Sequence, residues 1–487
     1  MAFKHGVYTS EIPTAILPAR SVDSNAVFVV GTAAVHRLDP GKPRYVNQLR
    51  LYLSYADYVE EMGWDDEGVN RYSLQELIYS HFALYRGAPV IVCNVFDPEV
   101  HKTSVSGESV TFSGDVATLQ HGGVAKLELT SMEGTTYVEG TDYSLNVATG
   151  GLTRLADGSI SESATLTARY DYADVSLVDS ADVIGGINAM TGDSEGLELI
   201  DAVFPTFGVV PGSILAPRFG EDPAVAAIMA AKADGINGLF KAIAIVDLPS
   251  DGENGVRKYT DVAAYKKRNN LSDELLICCW PKVKLGDRVF GLATQLTGLM
   301  SQVDYDNGGV PFASASNKKL ETTSIGMVAE DGGWKEISLG LDKCNALNGE
   351  GIYTAVSWDG VMRSWGGRTS AYPSTTDPKD CQESIRRFFN WWQNSFILTY
   401  FQKVEAPLTK RLIQTILKSE QIRLDGYAAR EMILGGTITF DGADNPTTDL
   451  IDGVLRFHTR ITPPPAGRDI ESSFEFDTDN LSVLFSA

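Results

Sequence analysis

Four stretches of this chain are apolar at nearly every position: AVFVVGTAAV (26–35), APVIVCNVF (88–96), LFKAIAIVDLP (239–249) and DELLICCWP (273–281). A strand with water on one face alternates apolar and polar residues. A run that does not alternate has both faces covered, as in parallel sheets whose crossovers are helices. The intervening segments supply such helices. RYSLQELIYSHFALYRG (71–87) carries the stripe Leu74, Leu77, Ile78, Phe82 and Tyr85, and DPAVAAIMAAKADG (222–235), TDVAAYKKRNN (260–270) and DRVFGLATQLTGLMSQ (287–302) follow. In the stretch after residue 176, with GIYTAVSW (351–358) as a further strand, the pattern predicts a mostly parallel α/β sheet, and the runs 26–35 and 88–96 read as strands of a separate N-terminal segment.

A chain of 487 residues is too long for one core, so a multidomain α/β protein is expected. Residues 1–20, with Gly6, Pro13 and Pro18, read as an extended arm, and 21–100 as an N-terminal α/β segment. From 101 to 176 the texture changes to short alternating runs such as SVTFSG and AKLELTS between Gly, Asp and Asn turns. This predicts an inserted all-β domain, a sandwich or barrel. The α/β domain occupies 177–365, and 366–380 is a turn-rich linker.

Residues 381–466 form a small α+β domain. Its first helix has Ile385, Phe388, Phe389, Trp392 and Phe396 on one stripe, with Trp391 in the core and Trp392 at a surface or interface. A second helix starts at Pro407, turns Leu408, Leu412, Ile413 and Ile416 inward, and ends before Gly426. Two strands follow, GGTITF (435–440) and GVLRFHTRI (453–461). In the latter Leu455, Phe457, Thr459 and Ile461 alternate with Arg456, His458 and Arg460. A sheet this narrow has open edges and is marginal alone. Pro463–Pro465 then end the strand, and a C-terminal arm (467–487) carries the strand-like SSFEFD.

Composition excludes several functions. Forty-one basic against sixty-three acidic side chains give a formal charge of −22, which repels phosphate backbones and anionic lipid surfaces. Direct nucleic-acid binding is not expected. No secretory leader and no apolar run of about 18 residues is present, so a cytosolic origin without membrane insertion is expected. Five cysteines without a C-x-x-C pair read as buried, reduced thiols.

Two motifs invite a catalytic or metal reading. Gly192-Asp193-Ser194-Glu195-Gly196 matches the nucleophile elbow of serine hydrolases, but its preceding residues make a poor strand, and no histidine lies between His121 and His458. Asp304-Tyr305-Asp306-Asn307-Gly308-Gly309 resembles the opening of a calcium loop. Its twelfth position is Ala315 where a bidentate Glu is required, so a turn after a helix is expected. No phosphate loop or dinucleotide fingerprint occurs, and no cofactor or metal is expected. A hydrolase using Ser194 and an envelope- or carbohydrate-binding protein using the β insertion stand as alternatives.

Several segments together resemble one family, the contractile tail sheath proteins of phages and phage-derived injection particles. HGVYTSEIPTAILPARSVDSNAVFVVGTA is similar to its opening, and LNGEGIYTAVSWDGVMRSWGGRT to the end of its middle domain. SIRRFFNWWQNSFILTYFQKVEAPLTKRLIQTILKSEQIRLDGYAAREMILGG, with RITPPPAGRDIESSFEFD, resembles its C-terminal domain and arm. The resemblance implies a non-enzymatic structural subunit with a middle domain like subtilisin in fold but without its activity. It further implies stacked hexameric rings around a tail tube, with baseplate and tail terminator proteins as further partners. The particle, a virion tail or tail-like device, is assembled in the host bacterial cytoplasm, and contraction drives the tube through a cell envelope. The C-terminal domain faces the tube, the β insertion faces outward, and arms of two neighbours add strands to the small sheet of a third.

The residues suit that role, because donated strands pair open edges through main-chain hydrogen bonds. In the N-terminal arm Val7 and Thr9 alternate with Tyr8; in the C-terminal arm Phe474 and Phe476 share a face opposite Glu475. Ile438, Phe440, Leu455, Phe457, Thr459 and Ile461 make up the expected acceptor sheet.

Overall fold

The computed structural model of the chain describes residues 22–66, 71–87 and 89–485. The apolar runs assemble into one eight-stranded sheet. In chain order its strands are β1 (Val27–Gly31), β2 (Leu49–Tyr52), β3 (Val90–Asn94), β4 (Ser213–Leu215), β5 (Ile243–Asp247), β6 (Leu276–Cys279), β7 (Ile352–Trp358) and β8 (Val361–Trp365). Their spatial order is β2-β3-β1-β4-β5-β6-β7-β8. The six from β3 to β7 are parallel, and β2 and β8 close the two edges antiparallel. Every residue of β1, β3, β5 and β6 is buried, as runs without alternation require.

The expected separation of 21–100 from 177–365 does not hold. Val27 pairs with Val90 on one side and with Ser213 on the other, so both stretches build one body. The cause is β1 itself: a strand apolar throughout is most stable in mid-sheet, with a neighbour at each edge.

Helix α1 (Ser73–Ile78) runs on into a wider π turn, Tyr79–Leu84. The helices α2 (Pro223–Ala233), α3 (Tyr259–Arg268) and α4 (Leu292–Asp306) follow. Asp222 caps α2 by accepting from Ala224 N–H, with Pro223 at the first position. The helix expected from Asp287 starts later. Arg288–Phe290 is a strand joined to Lys282–Leu285 by the two-residue turn Gly286-Asp287, with Gly286 at φ 58°. Such a turn needs positive φ, and it defers the helix to Leu292.

Residues 102–173 are a module of their own. A four-stranded sheet (Lys102–Thr111, Thr165–Ala173, Val124–Thr130, Thr136–Tyr137) and a three-stranded one (Val116–Thr118, Gly151–Arg154, Tyr143–Asn146) share a core of Val110, Phe112, Leu129, Leu152, Leu166 and Tyr170. The alternation read from the sequence is that of two sheets each with one wet face. Lys102 and Ala173, at the two ends of the module, pair directly.

The rest of the apolar interior is continuous from Val22 to Ile438 among the described residues. Segment 366–380 therefore packs down rather than standing free. Thr369 and Ser370 are fully buried, Ser370 N–H donates to Leu276 O (2.7 Å), and Lys266 Nζ donates to Tyr372 O (2.8 Å). Helix α5 (Glu383–Tyr400) enters the body, with Trp391 Nε1–H donating to Val22 O (3.0 Å) and Asn390 Nδ2–H to Ala242 O (2.9 Å). Its buried surface is not the single stripe expected: Glu383, Arg386, Arg387, Asn390 and Asn394 are buried, whereas Phe389 and Phe396 are only half-buried. Trp392, expected at a surface or interface, is buried too.

Candidate assembly interface

Helix α6 (Lys410–Ala429) positions the small sheet. Thr409 caps it by accepting from Leu412 N–H (3.2 Å). The start expected at Pro407 is therefore displaced, and Leu408 lies exposed before the helix. Gly426 lies inside the last turns rather than after them. Strand β9 (Gly435–Thr439) pairs antiparallel with β10 (His458–Thr462), and among the described residues no third strand joins them. Leu424, fully buried, presses α6 onto the sheet. A Cβ added to Gly436 would stand 2.6 Å from its Cδ2 and 3.1 Å from Arg460 O, so glycine here lets α6 come this close without a shift of Leu424.

The expected acceptor residues gather on this hairpin. Ile438 is buried on β9, opposite Thr459, and Ile461 lies opposite Gly436. Phe440 and Phe457, just outside the strands, hold their rings 5.2 Å apart. Leu455, Phe457, Thr459 and Ile461 are half-buried while Arg456, His458 and Arg460 are exposed, which is the alternation read from the sequence. The second strand is shorter than expected, because Asn445 occupies the position a longer pairing would need. Asn445 Oδ1 accepts from Arg456 N–H (2.7 Å), and its Nδ2 donates to Arg456 O and Asp441 O.

A second side-chain amide works on β9. Gln421 Nε2 donates to Gly436 O (3.2 Å) and to Asp425 Oδ1 (2.9 Å), and its Oε1 accepts from Ile438 N–H (3.3 Å). An amide side chain carries a donor and an acceptor much as a peptide does, so Gln421 and Asn445 stand where strand residues would. Neither was singled out from the sequence, since an amide on a helix or in a turn gives no sign of which backbone it will reach.

Beyond Thr462 the chain leaves the sheet. Residues 463–477 form no helix or strand, and from 466 onward every described side chain in that stretch is exposed. Ile470 is 90% exposed, Phe474 94% and Phe476 78%, with Glu475 between the last two. Val7, Tyr8 and Thr9 lie outside the described residues.

Buried charge and aromatic contacts fix this region to the body. Arg387 bridges Asp304 of α4 and Glu383 of its own helix, with Nη1 3.1 Å from Glu383 Oε1, and all three are buried. Burial pushes the Asp304 carboxyl up to about 6 in spite of the guanidinium, and raises Glu383 also. Asp304 is thus committed to an ion pair, and Gly308 and Gly309 at positive φ end α4 as a turn. Between α5 and α6, Arg423 lies over Trp392, 4.0 Å from its ring centre, and 5.4 Å from that of Trp391. Cation–π attraction of this sort holds α6 against α5.

The places where an α/β protein would carry chemistry are otherwise used. At the carboxyl ends of the parallel strands, Glu76 Oε1 accepts from Gly291 N–H (2.7 Å) and Asp247 Oδ1 from Ala293 N–H (2.9 Å). Both carboxylates thereby cap the N-terminus of α4. Lys282 joins Glu221 (3.0 Å) to Asp251 (2.6 Å) beside them. Ser194 lies in a two-residue strand paired with Gly186–Ile187, a hairpin and not a strand-to-helix elbow. No hydrogen bond joins it to a histidine among the described residues. All five cysteines are free and buried, and burial pushes Cys93 and Cys278 up to about 12. No helix among the described residues is long and apolar enough to cross a membrane.

A family described as "Protein of unknown function UCP028589" matches residues 98–181, the β insertion and its junctions. Over 99% of its length the chain is 31% identical to a protein named "Tail sheath protein" from Burkholderia phage BcepMu, of which it covers 98%. Two solved structures share the fold. One is the PVC sheath complex of an extracellular contractile injection system in the contracted state, with TM-score 0.58 at 12% identity over 99% of each chain. The other is the helical sheath of the anti-feeding prophage in the contracted state, with TM-score 0.58 at 12% identity over 98% of this chain and 100% of that one.

Proposed function

The chain belongs to the tail sheath protein family, and we propose from that premise that it is the subunit of a contractile sheath, polymerising around a tail tube as stacked hexameric rings. The observation that carries this reading is kinship along the whole chain, both arms included. The C-terminal region faces the tube, the insertion points outward, and baseplate and tail terminator proteins bound the ends. The particle is a virion tail or tail-like device assembled in the host cytoplasm.

Neighbours are linked by strands donated from the arms at Val7–Thr9 and Phe474–Phe476 to the hairpin of another subunit. A sheet of two strands among the described residues and an arm whose Ile470, Phe474 and Phe476 are exposed support this. Donor and acceptor surfaces differ, so the contact is heterologous and propagates as a helix. The body, with the subtilisin-like layout implied by the family, contributes rigidity and not catalysis. The free energy of contraction comes from new contacts between domain surfaces, without a nucleotide; a requirement for ATP in purified particles would overturn this.

Electron microscopy of the expressed chain tests the proposal, with tubes or ring stacks as the expected outcome and a discrete monomer as the outcome against it. Removal of residues 467–487 abolishes long assemblies while the melting temperature stays within about 2 °C, because side chains 467–481 are exposed and contribute little to the core. Normal polymerisation of the truncated chain would refute strand donation by this arm.

A further inference from the structure

We propose that the β insertion is a hinged module, pinned to the body at its stem, latched by His36 against Gly123, and released when His36 takes up a proton.

The stem is narrow. Lys102 pairs with Ala173, and just outside them Asp174 N–H donates to His101 O (2.9 Å). The His101 ring is held on both nitrogens, with Asp97 N–H donating to Nδ1 (3.1 Å) and Nε2 lying 3.4 Å from Asp182 Oδ2. Beyond the stem the insertion has a core distinct from that of the body. Where segment 36–44 faces the three-stranded sheet the two are parted by a cleft of about 580 Å³, with Leu38, Pro40 and Arg44 on one side and Val116, Ser144 and Leu152 on the other. A module with its own core, on a two-stranded stem and beside a cleft, has room to turn.

The latch is one close contact. His36, buried in the turn Val35–Arg37, lies so near the backbone of Gly123 that a Cβ there would stand 2.8 Å from its Cδ2 and 2.7 Å from Ala173 Cβ. Phe96 meets the ring in a T-shaped contact at 5.9 Å, and Tyr72 Oη lies 3.4 Å from Nε2.

This seat suits a neutral ring. An imidazolium carries two N–H donors, yet Nδ1 has no hydrogen-bond partner among the described residues. The charged groups around it are Arg37 of its own turn, Arg44 after it and Arg71 before α1, with the exposed Asp39 in the same segment. Arg37 and Arg71 already pair with Asp65 at 3.0 and 3.7 Å, and Arg44 with Glu99 at 3.7 Å. On the insertion, His121 stacks on Tyr172 with ring centres 3.8 Å apart. Burial and the three guanidinium groups hold the His36 imidazole down to about 4, against 6.5 for the ordinary group. A ring released to water regains the ordinary value, so docking is strongest above pH 6.5 and weakens as pH falls toward 4. A proton on His101, by contrast, faces the carboxylate of Asp182 and leaves the stem intact.

Thiol labelling of Ala173→Cys in the full chain measures the opening, because Ala173 is buried among the core residues of the body. The probe is dithiodipyridine, with each rate divided by that of a cysteine peptide at the same pH and the label located by peptide mass. The expected result is a rise of about 25-fold from pH 7.5 to pH 5, absent when His36→Phe or His36→Gln is added. No rise, or the same rise in those two backgrounds, which keep His101 and His121, overturns the proposal. An equal rise at Cys93 in the body overturns it as well, since it reports general loosening. Gly123→Ala should raise the rate already at pH 7.5, and an unchanged rate refutes the seat at Gly123. The hinge belongs to a single subunit, so these outcomes stand apart from strand donation.

Discussion

The β insertion and the C-terminal hairpin are both antiparallel sheets attached to one α/β body, yet they solve the edge problem in opposite ways. The insertion has seven strands in two sheets and an apolar core of its own. The hairpin has two strands among the described residues, takes its apolar cover from α6, and is joined to the body through α5 and the groups around Arg423. A closed module can be decorated or exchanged without disturbing its host. An open one leaves edges at which a further strand can pair.

The largest effect expected comes from cutting the anchor of the hairpin side. Arg387→Met leaves Asp304 and Glu383 buried without a cation, at a cost of about 3–5 kcal/mol. Hydrogen exchange should show α5, α6 and the hairpin losing protection while 102–173 keeps its own. The pH dependence has a defined sign. Asp304 titrates at about 6 in the fold against 3.8 for the ordinary group, so its contribution is present at low pH and is lost as pH rises toward 6. Without Arg387 the carboxyl rises further, and denaturant titrations should show the variant still losing stability above pH 6. Uniform loss of protection in both regions would break the comparison.

Core truncations come next. Leu129→Ala and Leu424→Ala each remove a fully buried side chain, worth about 2–5 kcal/mol. The first should lower only the melting of the insertion and leave assembly intact; the second should loosen α6 from Gly436 and shorten the polymers seen by microscopy. The smallest effect is expected from replacing 103–172 by a short Gly-Ser linker. Lys102 and Ala173 are already paired, so the body should fold, and sheaths should form at near wild-type yield. Failure of that variant to polymerise would assign the insertion a share in the joint.

The legible parts of the fold were those where local pattern and tertiary surroundings agree. Unbroken apolar runs announced β1, β3, β5 and β6, and alternation announced both the insertion and the exposed row Arg456, His458, Arg460. Where they parted, pattern failed. Residues 21–100 looked separate because sequence distance conceals that Val27 and Ser213 are neighbours in one sheet. Helix α5 showed an apolar stripe, but the body satisfies its polar flank, with Asn390 and Asn394 bonded to the backbone of Ala242 and Lys241. The same holds at the interface. The arm and hairpin could be read as donor-like and acceptor-like, whereas Gln421 and Asn445 acquire meaning only from the strand each faces.

The prolines after β10 also have a mechanical consequence. From Thr462 to Asp469 the chain is seven residues long, which fully extended spans roughly 25 Å, and Pro463–Pro465 keep it close to that length. If the arm is held by a neighbour, as proposed above, the end of one subunit's β10 stays within that reach of the next subunit's hairpin. Every arrangement the sheath adopts, before or after contraction, is then confined to rotations and translations that respect this leash.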